Sequence, residues 1–227
     1  MLTNTTMKNL TNFLLILISF CSFTPANAIA KPKSQFYQIE LITFKNNNTS
    51  EDIAKETWPA AKLKLPTNYI DLTASATDSN SYTLLPKNEL KYTNIYNNIR
   101  YSKRYTAINH IGWLQPKKDM NKSIPVYFSA GQVYFNNTAE SPELMGTLKL
   151  TSKKYVHAKL DLLLNLPAKT DPSYAKQFEL VKNFDGKFSD NVYLQSFLLS
   201  EDRRLKNNEL NYFDHPVFSA IVVVSEV

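Results

Sequence analysis

VHAKLDLLLNL, residues Val156–Leu166, is the stretch on which the fold class turns. Val156, Ala158, Leu160, Leu162 and Leu164 fall on one side of an extended chain, and His157, Lys159 and Asp161 on the other. A two-residue period with one polar side predicts an antiparallel strand whose second face is wet. Thr147–Leu150 repeats the pattern upstream, so the two segments are expected to form a hairpin around Ser152-Lys153-Lys154. Further out, Tyr193–Lys206 reads as a strand, Asn207-Asn208 as a two-residue turn and Glu209–Phe213 as its return arm. Asparagine accepts the positive φ that such a turn needs. That register sets Lys206 opposite Glu209 and Arg204 opposite Asn211. Val217–Val224 is a nearly continuous apolar run, broken only by Ser219, and predicts a strand buried on both faces.

The N-terminal half adds alternating strands at Phe36–Lys45, Tyr105–Gln115 and Ile124–Phe128. Ser50, followed by Glu51 and Asp52, predicts an N-cap and a short helix toward Trp58. The best helix is expected over Pro86–Lys103, where Tyr92, Ile95, Tyr96 and Ile99 make one apolar stripe. Lys62–Tyr82 and Pro167–Asn191 read as irregular, the latter with Gly186 in a turn. The expected class is α+β, mainly antiparallel β-sheet with one or two helices packed on it.

Phe13–Phe23 (FLLILISFCSF) follows Lys8 and precedes Ala26-Asn27-Ala28, the layout of a secretory leader and its small-residue cleavage site. Ala28-Ile29-Ala30 offers a second register. The run is shorter than the roughly twenty apolar residues that span a membrane, so a cleaved leader is favoured over an uncleaved anchor. Residues 1–28 are therefore expected to be a signal peptide, and 29–227 a single exported domain without a transmembrane segment. Cys21, the one cysteine, falls inside the leader, so the exported chain has no disulfide and no cysteine-clustered zinc site. Export also argues against nucleic acid as the partner of a chain with a pI of about 9.2.

Catalytic motifs are absent: no G-x-S-x-G elbow, no H-E-x-x-H, no phosphate loop. His110, His157 and His215 lie far apart in the chain with no ligand spacing, so neither a metal nor another cofactor is expected. Asp214-His215-Pro216 is read as a structural turn, because aspartate caps turn backbone and the proline holds the histidine extended. Tyrosines beside cations are the remaining signal. Tyr101, Arg104, Tyr105, Lys153 and Lys154 combine sugar-stacking rings with donors for carboxylates, and are the candidate contacts for a ligand that carries both.

The order of several segments resembles the CsiV family of periplasmic peptidoglycan-binding proteins of Gram-negative bacteria. Tyr37-Gln38-Ile39-Glu40-Leu41-Ile42-Thr43-Phe44 is similar to the family's opening strand with its acidic centre. Glu56-Thr57-Trp58-Pro59 is similar to a Glu-x-Trp segment, and His110 through Pro116 to a His-x-x-Trp-x-Gln-Pro strand. Lys154 through Leu162 resembles a Tyr-x-His strand leading to Asp-Leu, and Arg203 through Phe218 resembles the family's C-terminal segment. Asn211 and Ser219 depart from the histidine and glycine expected there. The resemblance implies a non-catalytic wall protein that helps activate a bifunctional peptidoglycan synthase through its outer-membrane lipoprotein activator. A periplasmic cell-wall hydrolase or other envelope enzyme is the alternative.

Overall fold

A computed structural model describes residues 35–47, 61–72, 82–119, 121–136, 139–168, 176–181 and 188–227. All of them lie in the compact unit Ser34–Val227. The strands are β1 (Phe36–Asn46), β2 (Ile70–Asp71), β3 (Thr83–Leu84), β4 (Tyr105–Pro116), β5 (Val126–Asn136) and β6 (Ala139–Ser152). They continue as β7 (Val156–Ala168), β8 (Lys176–Val181), β9 (Phe188–Leu205), β10 (Asn211–Asp214) and β11 (Phe218–Glu226), with the helix α1 at Thr93–Arg100. The expected α+β class holds.

The first sheet has the order β10-β11-β1-β4-β3 and is antiparallel throughout. The second runs β2-β5-β6-β7-β9-β8, with only the short β2–β5 pair parallel. At one end β8 also pairs with β5, at Tyr134↔Leu180 and Phe135↔Glu179, so this part of the second sheet closes on itself. Away from that closure, inward side chains of both sheets form one cluster. It joins Ile39, Leu41 and Trp113 of the first sheet to Leu148, Leu160 and Leu199 of the second. β1 and β11 are buried on both faces because α1 covers the far side of their sheet, where Ile99 meets Ile42, Phe44 and Val223. The stripe of Tyr92, Ile95 and Tyr96 packs there as expected.

The alternation holds over 156–161, where Val156, Ala158 and Leu160 are buried, His157 and Lys159 exposed and Asp161 half-buried. From Leu162 on, the second face is not wet, since Leu163 and Asn165 are buried along with Leu162 and Leu164. Several expectations are corrected. The helix is shorter than Pro86–Lys103, because a 3-10 turn at Lys87–Glu89 precedes it and Leu90–Tyr92 break the run. Among its described residues, the segment expected to be irregular over Pro167–Asn191 instead carries the end of β7, β8 and the start of β9. Lys62–Tyr82 contains the two-residue β2 among its described residues. The β6 arm of the central hairpin begins at Ala139, well before Thr147, and β5 extends to Asn136.

The largest correction concerns the C-terminal pairing. β9 and β10 do not form a hairpin, since Arg204 pairs with His157 and Asn211 pairs with Val222. The chain crosses from one sheet to the other at Asn207-Asn208, and Asn208 takes the positive φ of 58°. Lys206 and Glu209 do meet, at 3.3 Å, but across the turn and not across a ladder. Asn211 closes the crossing by accepting from the Lys206 backbone N–H and donating back to its carbonyl, each at 3.0 Å. Arg203 ties the sheets together, donating to the Tyr212 carbonyl and lying 4.0 Å from the centre of the Phe213 ring. The leader, the helix expected before Trp58 and the Gly186 turn lie outside the described residues.

Candidate functional site

The β6–β7 turn and the β4–β5 loop face each other across an open cleft of about 540 Å³. Asp119 and Asn121 line it from the loop, and Thr151, Lys153, Lys154, Tyr155 and His157 from the hairpin. Both walls are pinned by backbone. The Ser152 N–H donates to the Lys118 carbonyl at 2.8 Å, and the Asp119 carbonyl accepts from the N–H groups of Lys122 (3.1 Å) and Ser123 (2.9 Å). The Ser123 hydroxyl donates to the Leu150 carbonyl, and Tyr37 meets Ser152 at 2.8 Å between hydroxyls. A short polar turn and a serine-rich junction thus hold exposed side chains over a rigid sheet.

Tyr155 is the aromatic of this cleft, 41% exposed. The Arg204 guanidinium lies 3.3 Å from its ring centre and the Lys154 ammonium 5.4 Å. Arg204 reaches it because Thr151, His157 and Arg204 form one cross-strand row on the outer face of β6, β7 and β9. Two cations gathered on one ring orient it and leave donors for a ligand oxygen. Neither Lys153 nor Lys154 has a carboxylate partner among the described residues, and the same holds for Arg204.

The five candidate contacts split into two places. Lys153 and Lys154 are in the cleft. Tyr101, Arg104 and Tyr105 sit at the start of β4, whose twelve residues separate them from the Lys118 end by about 36 Å at 3.3 Å per residue. Tyr101 is 78% exposed beside Arg100, whereas Tyr105 packs edge-on against Phe44 at 5.1 Å. Arg104 is exposed, and its carbonyl accepts from the Asn47 N–H at 2.8 Å. Sequence reasoning did not select Asp119, Asn121, Thr151, His157 or Arg204. Only the β6–β7–β9 register brings the last three together, and the pattern misassigned the partner of β9.

Asp214-His215-Pro216 joins β10 to β11. The backbones of His215 and Phe218 exchange hydrogen bonds of 3.0 and 3.1 Å, and the His215 ring accepts from the Val217 N–H at 3.2 Å. That ring packs against Phe197 and Phe218. Burial lowers the His215 pKa, against the opposing pull of Asp214. Asp214 accepts from Ser219 at 2.6 Å and from Tyr212 at 3.3 Å.

The His-x-x-Trp-x-Gln segment sends its residues to opposite faces of β4. Trp113 points into the shared core and donates to Gln115 at 2.9 Å. His110 points toward α1, where it meets Glu40 at 2.9 Å and stacks with Tyr96. Glu40 is only 2% exposed and also accepts from the N–H groups of Lys91 (2.7 Å) and Tyr92 (3.1 Å), at the start of α1. Burial pushes this carboxyl up, but the bonds from His110, Lys91 and Tyr92 outweigh it and hold its pKa below the usual value. Gly112 makes room for the approach, because a Cβ there would come within 2.5 Å of Leu90. His110, His157 and His215 thus occupy three separate environments: under α1, in the cleft and in the last turn.

No curated protein and no solved structure matches the chain in comparison. A family model described as "Peptidoglycan-binding protein, CsiV" matches residues 12–227, nearly the whole length. Its span takes in both sheets, the cleft and every segment that carried the resemblance, and the chain belongs to the CsiV family of peptidoglycan-binding proteins.

Proposed function

We propose that the chain is a non-catalytic periplasmic protein that holds peptidoglycan in the cleft between the β6–β7 turn and the β4–β5 loop. The observation that carries this reading is the exposed Tyr155 ring, with Arg204 and Lys154 close to it, beside the uncompensated Lys153. A ring face suits a sugar, and the cations suit the carboxylates of wall peptides. The separation of the three histidines counts against a hydrolase built on them. Tyr101 and Arg104 form a second, distant place that a long glycan strand would reach. The protein acts after removal of residues 1–28, as the single domain 29–227.

Co-sedimentation with purified wall tests this, with chromatography of the supernatant for released muropeptides. Wild-type protein is expected to sediment and release nothing. The Lys153→Ala/Lys154→Ala double variant is expected to bind about three- to tenfold less, the size of one or two partly exposed ion pairs. Rising salt should weaken binding without abolishing it, since screening removes the ionic part and leaves the stacking. Absence of sedimentation overturns the reading, and muropeptide release by the pure protein turns it into a hydrolase.

Wall binding of this kind also fits a role in switching on a bifunctional peptidoglycan synthase through its outer-membrane lipoprotein activator, as membership of the family suggests. Glycan synthesis by the purified synthase and activator should rise when the domain is added. An unchanged rate, with both partners active, removes that role.

A further inference from the structure

Asp119 lies on the same cleft as Lys153 and Lys154, yet it forms no ion pair with either. In a flexible loop, opposite charges on one concavity would collapse onto each other. Here they are held apart. The Lys118–Ser152 hydrogen bond and the Asp119 carbonyl contacts fix one wall, and the Lys153–Tyr155 backbone contact at 3.4 Å closes the other. Thr151 and Asn121 add neutral hydrogen-bonding groups to the lining. A purely anionic ligand, such as a phosphate or a polyanion, would gain the lysines and be repelled by Asp119. A neutral sugar would use neither charge. The ligand that uses both carries an ammonium and a carboxylate close together.

We propose that the cleft takes the zwitterionic amino-acid end of an uncrosslinked wall peptide, with its ammonium on Asp119 and its carboxylate on Lys153 and Lys154. This rests on the wall-binding reading and sharpens it. The ligand is the free end of a diamino acid in a stem peptide, and the Tyr155 ring is left to the sugar that carries the peptide. About 540 Å³ holds a group of that size, within the roughly 300–1,000 Å³ usual for small-ligand sites. Crosslinking converts the ammonium to an amide and cancels half of the recognition. The protein therefore discriminates open from crosslinked wall, and binds where peptides still await joining.

The test is calorimetric titration of the processed protein with three soluble probes, run beside co-sedimentation with intact wall. The probes are a disaccharide-tripeptide ending in the diamino acid, the same compound with its free amine acetylated, and the peptide-free disaccharide. The first is expected to bind. Acetylation should weaken it about tenfold, the value of one charged hydrogen bond, and removal of the peptide should weaken it at least as much. Asp119→Asn should bind the free and acetylated forms equally. Its melting temperature should match wild type, because Asp119 is exposed and its carboxylate has no partner among the described residues. Equal affinity of wild type for the free and acetylated probes overturns the proposal, as do tight binding of the peptide-free disaccharide or stronger binding by Asp119→Asn. If intact wall still sediments the protein in those cases, the wall-binding reading stands. If it does not, both fall.

Discussion

Glu40 shows how a single buried charge can organise a fold. Its carboxylate is the meeting point of β1, β4 and the start of α1, through His110 and the backbone of Lys91 and Tyr92. Four-residue periodicity alone does not make an eight-residue helix stable in water, so anchoring of its first turn matters. Glu40→Gln keeps the shape but turns an acceptor toward a donor, and is expected to cost about 1–3 kcal/mol at neutral pH. The folded carboxyl titrates below its ordinary value of 4.5, so its stabilising contribution is complete above that pH and is lost as pH falls through the lowered folded value. Urea unfolding at pH 7 and in the acid range checks this. The gap between wild type and Glu40→Gln should close in acid, and an equal gap at both pH values would refute the anchoring role. The acidic centre of the opening strand was visible in the chain, but its partner was not. Glu40 and His110 are seventy residues apart, and no local pattern couples them.

At the level of elements, strand alternation located β7 and β11 correctly but missed β8 and read β5 and β6 too short. It failed where turn chemistry suggested a hairpin that the sheets do not make. Asn207-Asn208 is a turn, and Asn208 has the expected positive φ, yet the turn carries the chain between sheets. Turn residues specify local backbone geometry and leave the choice of neighbour to burial of the flanking faces. The β10–β11 connection is a structural turn in our reading. His215→Ala removes the ring from Phe197 and Phe218 and is expected to cost about 0.5–3 kcal/mol. Asp214→Ala, which strips an acceptor from Ser219 and Tyr212, belongs in the same range. The lowered His215 pKa adds stability above pH 6.5 that is lost as pH falls through the folded value, because the fold disfavours the charged ring. Thermal melts and wall binding should move together in both variants. Normal melting with lost binding would make this turn part of a site.

On the scale of the whole molecule, two sheets with one shared cluster support a domain that needs no disulfide. Lys45 of β1 and Glu143 of β6 add an ion pair between the sheets at 2.5 Å, and Glu143 also accepts from the Gln132 N–H at a bulge. Gly131 permits that bulge with a φ of 80°, where a Cβ would strike Glu143. Processing after Ala28 or Ala30 would release this domain with Lys8 as the only charge lost. The intact mass of the protein from a periplasmic fraction should correspond to one of those two cuts, and full-length mass there would rule out the leader. The amino-acid sequence by itself determined the α+β class, the strands with a clean two-residue period and the cationic turn at Lys153-Lys154. These rest on side-chain spacing within a few residues. The tertiary structure alone decided that β9 pairs with β7 and β10 with β11, that Tyr105 packs on Phe44, and that Asp119 and Tyr155 share one cleft with Arg204 stacked on the Tyr155 ring. Those outcomes depend on which apolar faces are buried together, a property of the whole chain that no local pattern encodes.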